Sequence, residues 1–314
     1  MLPDDVLLDI FDFYRIDCTH FPWTWITLAH VCPRWRQVIF ASPHRLDLQF
    51  LCRPRTRVGD LLDFLPPAMP IMISNSFDSP LSESRFTTDL EDGSQVVAAI
   101  KQRDRVWWIH LEDLPSSLLE KLVTIMQETF PTLKYVRLWA GDETAPVLPG
   151  GFLGGSAPAL ETFWLRGIPF PELSKILLST NDLVYCVLER IPDSGYISPA
   201  AMAAALSTCT KLEVLIIEFL SEDPHPDQTG QEFTSLTRVP LPALTFFNFD
   251  GNGGYFDDFV PRIESPLLAR DSNPFWQHDI SVNRHVHYKA SFTQTGFSSH
   301  YFSRPLMDLA PEEE

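Results

Sequence analysis

Apolar positions recur along this chain with a helical spacing near its start and with a strand spacing after residue 100. The stretch LPDDVLLDIFDFY, residues 2–14, sets Val6, Leu7, Ile10, Phe11, Phe13 and Tyr14 on one side of a helix at about 100° per residue. They span roughly 160° of its circumference, and Leu8 is left on the acidic side. Pro3 suits the first helical turn, where a missing N–H costs nothing, and Asp4 and Asp5 stand near the positive end of the helix dipole. WTWITLAHVC predicts a second helix with Trp25, Leu28, Ala29 and Cys32 on one face. PRWRQVIFAS predicts a third, opened by Pro33, stopped before Pro43, and carrying Trp35, Val38 and Ile39. Three helices in about forty residues bury too little surface to stand alone. The unit must dock, either onto the rest of its own chain or onto a partner.

Further along, the pattern L-x-x-Φ-x-Φ (Φ apolar) returns at Val106/Ile109/Leu111, Leu133/Val136/Leu138, Leu160/Phe163/Leu165, Leu183/Cys186/Leu188, Leu212/Leu215/Ile217 and Leu244/Phe247/Phe249. First positions are 27, 27, 23, 29 and 32 residues apart, spacings that bracket those of leucine-rich repeats. Between them DGSQVVAAIKQ, SSLLEKLVTIMQETF, PELSKILLST and PAAMAAALSTC predict helices, each opened by Asp, Ser or Pro. FPTLKYVRL, APALETFWL and LPALTFFNF share a lead-in with Pro two residues before Leu. Strand then helix, repeated, predicts an α/β fold: parallel strands backed by helices, in which neighbouring units bury what one cannot. Regular repeats carry Asn or Cys three positions after the last Φ; here those positions hold Leu114, Gly141, Ile168, Ile191, Leu220 and Asn252. The array is therefore irregular, and an ordinary α/β domain with parallel strands is the alternative. The expected organisation is a helical unit over 1–48, a linker and helix over 49–69, a degenerate leucine-rich-repeat array over 70–270, and an atypical or disordered tail over 271–314.

The 314 residues carry a formal charge of −17, which excludes the basic footprint that nucleic acid or an anionic membrane demands. Residues 1–57 hold 7 basic and 6 acidic side chains, so the acidic excess belongs to the remainder and points to a basic partner for it. Five cysteines without a CxxC pair favour a reducing compartment over disulfides or zinc. No signal-like segment opens the chain, and no apolar run approaches the ~18 residues of a membrane span. The expectation is an intracellular protein of cytoplasm or nucleus.

Candidate chemistry is sparse. His285-x-His287 could share a strand face, but no third ligand stands at metal spacing. GNGG at 251–254 lacks the Lys-Ser/Thr of a phosphate loop and suits a turn. No nucleophile signature occurs, so neither catalysis, nor a cofactor, nor a metal is expected. DSGYIS at 193–198 is similar to a phosphodegron, with Ser194 and Ser198 as acceptors. A loop between repeats explains it equally, and Arg53, Arg55 and Arg57 suit a solvated linker.

L-P-x-D-V-L-L-x-I-F at 2–11, followed by L-x-x-V-C-x-x-W-R at 28–36, closely resembles the F-box in the form common in mushroom-forming fungi. SPHRLDLQFLCRPRTRVGDLLDFLPPAMPIMI continues that resemblance. It implies that the helices insert against the C-terminal helices of a Skp-family adaptor, which links them to a cullin. Leu2, Pro3, Val6, Leu7, Ile10 and Phe11 would form one contact strip, and Leu28, Val31, Cys32, Trp35 and Val38 the second. The chain departs from the family in the extra RIDCTHFPWT and in Pro33, where a basic residue is frequent. The resemblance implies a non-catalytic substrate-recognition subunit of an SCF-type ubiquitin ligase, with a target protein on the repeats. A repeat-based interaction scaffold that never enters a cullin complex is the other expectation.

Overall fold

The computed structural model describes residues 2–16, 24–43, 45–46, 48–53, 56–62, 64–75, 93–142, 144–221, 238–268, 279–280 and 285–291. Helices α1 (Asp4–Ile16), α2 (Thr24–Val31) and α3 (Pro33–Ala41) come first. Strand β1 (Phe50–Cys52), helix α4 (Val58–Leu62) and strand β2 (Ile71–Ser74) follow. Strands and helices then alternate: α5 (Ser94–Ile100), β3 (Val106–Leu114), α6 (Ser116–Ile125), β4 (Tyr135–Ala140), β5 (Thr162–Arg166), α7 (Leu173–Leu177), β6 (Tyr185–Ile191), α8 (Pro199–Ala205) and β7 (Val214–Phe219). The last elements are β8 (Val239–Pro240), β9 (Phe246–Asn252), α9 (Gly253–Phe259), β10 (Ile263–Glu264), β11 (Asp279–Ile280) and β12 (His285–Ser291). The fold is mixed α/β, built on a large sheet in the order β1-β2-β3-β4-β5-β6-β7-β9-β12-β11. Its first eight strands are parallel and backed by helices.

Every L-x-x-Φ-x-Φ unit falls on one of these strands. Ile109, Val136, Phe163, Cys186, Leu215 and Phe247 stand in one register row, and Leu111, Leu138, Leu165, Leu188, Ile217 and Phe249 in the next. All twelve are at most 4% exposed. Strand alternation sends them to one face, where α5 to α9 cover them. The first position of each unit is also sealed: Val106 opens β3, and Leu133, Leu160, Leu183, Leu212 and Leu244 lie just before their strands. In the three Pro-bearing lead-ins the Leu N–H donates to the carbonyl three residues back: Leu133 to Phe130, Leu160 to Ala157 and Leu244 to Leu241. Pro at the second place of such a turn pre-sets its φ.

The strand exits show why the Asn/Cys position degenerates. Asp113 (φ 51°), Gly167 (φ 67°) and Arg190 (φ 50°) all adopt left-handed backbone two residues after the last Φ. That turn drives the following Leu114, Ile168 and Ile191 into the core. An apolar side chain takes the place of a polar one, and the register shifts there in β3 and β6.

Three regions differ from expectation. Residues 49–69 hold, besides α4, the edge strand β1, which pairs parallel with β2. The sheet therefore starts ahead of residue 70. Beyond residue 270, β12 joins β9 antiparallel and β11 joins β12, so the parallel series ends on an antiparallel pair. The rest of that tail lies outside the described residues. GNGG is a helix start: the Asn252 side chain accepts from the Gly254 N–H and caps α9. No described helix is long and apolar enough to cross a membrane.

Candidate functional site

The front helices close on a small core of their own. Phe11 meets Trp35 edge to face at 4.9 Å and Trp25 meets Phe40 at 6.0 Å. The Trp25 Nε1–H donates to the Gln49 carbonyl at 3.0 Å, joining the unit to the strand side. Pro33 occupies the first turn of α3 and the Cys32 Sγ accepts from the Trp35 N–H, so Pro33 is a helix starter and Cys32 a cap. The Arg34 guanidinium donates to the Leu2 carbonyl and to Asp4 Oδ1. Arg45 pairs with Asp9 at 2.5 Å. Arg34 ties the start of α1 to α3, and Arg45 ties α1 to the segment that follows α3.

The arc expected as one apolar side of α1 divides in two. Leu7, Phe11 and Leu8 turn inward at 3%, 1% and 8% exposure. Leu8, expected on the acidic side, is therefore core. Leu7, Phe11 and Val38, expected in the contact strips, are sealed inside the chain. Leu2, Val6, Ile10 and Phe13 form a second stripe, 52%, 37%, 45% and 70% exposed. Val6, Ile10 and Phe13, four and three residues apart, share one face of α1, and Leu2 lies just ahead of the helix. Val31 is also open, Pro3 is exposed, and Leu28, Cys32 and Trp35 are half-buried. The Tyr14 side chain and residues 17–23 of the insertion lie outside the described ones. Covering what remains exposed of each open aliphatic side chain would contribute about 0.5–1.5 kcal/mol.

A second surface escaped the sequence reading. Residues between the core positions of each strand point away from the helices. Across β3, β4 and β5 they are aromatic and cationic: Trp108 stacks on Tyr135 at 3.5 Å, and the Arg137 guanidinium lies 3.8 Å from the Trp164 ring centre and 4.3 Å from that of Trp139. Glu112 holds both His110, at 2.8 Å, and Arg137, at 3.2 Å. Glu189 accepts from the Trp164 Nε1–H at 3.1 Å, with Arg166 3.9 Å away. Across β6, β7 and β9 the charge reverses, with Glu189, Glu218 and Asp250 at the strand ends. Burial, and then the neighbouring Glu189 and Asp250, push the Glu218 carboxyl above the usual range. The signal was present in the unexamined x of each Φ-x-Φ: His110, Arg137, Trp164, Val187, Ile216 and Asn248.

The remaining candidates are placed as follows. Ser198 caps α8, its Oγ accepting from the Ala201 N–H, and Ser194 sits in the short turn Asp193–Gly195. Cys52, Cys186 and Cys209 are buried free thiols, and burial pushes Cys52 up to about 12. His285 and His287 lie on β12. Among the described residues no group of three or more metal-type ligands gathers. The fold and its surfaces define a helix-backed parallel-sheet protein with a half-open helical unit at its front. No protein-family model matches the chain, and no curated protein is similar to it.

Proposed function

We propose that this chain is an F-box-type substrate receptor. Its front helices bind a Skp-family adaptor, and through it a cullin, while the leucine-rich-repeat-like sheet holds a protein to be ubiquitinated. What supports the reading is the open stripe Leu2, Val6, Ile10 and Phe13, which stands beside the packed Leu7 and Phe11. A helix that has already closed its own core keeps a second apolar face in water, and an exposed face of that kind suits a partner helix. The half-buried Trp35 adds an aromatic of the sort that anchors interfaces. The chain would do no covalent chemistry; it would raise the effective concentration of target lysines near a ubiquitin-loaded enzyme.

The test is co-purification of the full chain with a Skp-family adaptor, comparing the wild type with Val6→Asp/Ile10→Asp. Both positions are open, so unfolding stability should stay within about 0.5 kcal/mol while adaptor capture is lost. Leu7→Asp is unsuitable, because a buried unpaired charge would unfold the helices. Capture that persists in the double variant, or a wild-type chain that captures no adaptor, overturns the reading.

A further inference from the structure

The side chains between the Φ positions stand in register rows on the face opposite α5 to α9. The first row crosses six strands as Trp108, Tyr135, Thr162, Tyr185, Val214 and Phe246. The second adds Trp164, Val187 and Ile216. Between β3 and β9 the one formal charge in these two rows is Arg137, which Glu112 already holds. The other charges stand in a third row at the strand ends, where Arg166 faces Glu189 and Glu218 faces Asp250. The face is therefore apolar over the strand starts and middles, and polar along one rim. Parallel sheets are built with cover on both faces. Here the helices of the repeat cover one, and on the other Trp108, Trp164, Val214 and Ile216 remain half-buried.

The size of the two rows selects what covers them. They span five inter-strand steps of ~4.8 Å, about 24 Å, and lie about 7 Å apart, on the order of 350 Å² in all. Each partner of a stable complex of folded proteins buries about 800 Å², so the patch is too small to pair with a second copy of this chain. A single element fits it. An α-helix is about 10 Å wide and advances ~5.4 Å per turn; laid across the strands, it sets a side chain over nearly every one. An extended chain returns to the same side only every ~7 Å and falls out of step with the strands.

We infer that the open sheet face docks one amphipathic helix of a partner protein, laid across the strands from β3 to β9. Its uncharged apolar stripe rests on the two rows, and its polar flank faces the strand ends. This deepens the receptor reading, on which the naming of that helix as part of the ubiquitination target rests. The surface itself is tested without the adaptor. A fluorescein-labelled peptide of about 18 residues, enough for some 27 Å of helix, carries Leu at i, i+3 and i+4 spacing in a frame of zero net charge. It is titrated onto the purified full chain, with anisotropy as the readout. A peptide of the same composition with Leu at alternate positions, and the stripe peptide with a central Pro, should each bind at least tenfold more weakly. Val214→Thr/Ile216→Thr, which keeps the β-branched shape, should weaken binding of the stripe peptide at least fivefold, and Ile216→Lys should abolish it. Leu178→Thr, the loss of an exposed apolar side chain at the end of α7, should leave binding within twofold, as should Val6→Asp/Ile10→Asp. The inference is overturned by equal binding of the alternate-Leu peptide, or by unchanged binding to folded Val214→Thr/Ile216→Thr. Loss in Val6→Asp/Ile10→Asp overturns it too, since that places the peptide on the front stripe. Failure of adaptor capture with the expected peptide pattern intact removes the receptor reading and leaves the surface standing.

Discussion

The front helices and the sheet are written in similar apolar letters and treat them differently. In the sheet every Φ of the repeated unit is sealed, because each strand has a neighbour on either side and helices beneath. In α1 the apolar positions split, Leu7, Leu8 and Phe11 packing inward while Val6 and Ile10 stay in water. Stacked units share one core, and their stability is a sum of neighbouring interfaces. A three-helix unit at the end of such a stack has neighbours on one side. The apolar face left over stays in water, where the proposed adaptor would cover it, whereas an apolar face inside the stack is already packed.

That contrast is sharpest at Phe163, fully buried in the middle of the sheet. Phe163→Ala should cost about 4 kcal/mol, measured by denaturant unfolding. It should lower protection in β4 and β6 together, since both flank its strand. Confinement of the loss to β5 would break the picture of a shared core. Leu7→Ala should cost less, about 3 kcal/mol. In hydrogen exchange it should release α1 to α3 while the central strands keep their protection. A global loss of protection from this change would make the front helices part of the sheet's cooperative unit.

The smallest effect belongs to Glu218, where the open face carries a cost of its own. Its folded-state carboxyl titrates above the ordinary value, so the native state holds the proton more tightly than the unfolded chain. The stability from that neutral form is present at low pH and is lost as pH rises from the ordinary glutamate value, about 4.3, through the raised one. Glu218→Gln avoids the loss. Its melting temperature should exceed the wild type's at pH 7, with the difference closing below about pH 4. A gain of equal size at both pH values would show that ionisation is not its source.

Much of the architecture was legible because a parallel strand buried on one side must repeat the same apolar spacing at each pass. The six L-x-x-Φ-x-Φ units, their helices and the Pro-bearing turns were found for that reason. Strand β1 was missed because Phe50–Cys52 is three residues long and carries no repeat. The antiparallel β12 was missed because its pairing with β9 depends on a reversal that no local spacing records. On α1, helical angles gave an arc but not its division: Leu8 became core because α1 presents its Leu7–Leu8–Phe11 side to the neighbouring helices, a choice of orientation. The open sheet face went unseen because its residues share no type, only a register.

The sequence by itself determined the periods: a helical repeat at the front, a strand-and-helix repeat behind it, and the sign of the charge. Local sterics and hydrophobic spacing set these, and both are written residue by residue. Only the tertiary structure decided which apolar side chains stay wet and which carboxylates meet, as Glu218 meets Asp250. Exposure and proximity arise when segments distant along the chain pack together, and no window of neighbouring residues contains that information.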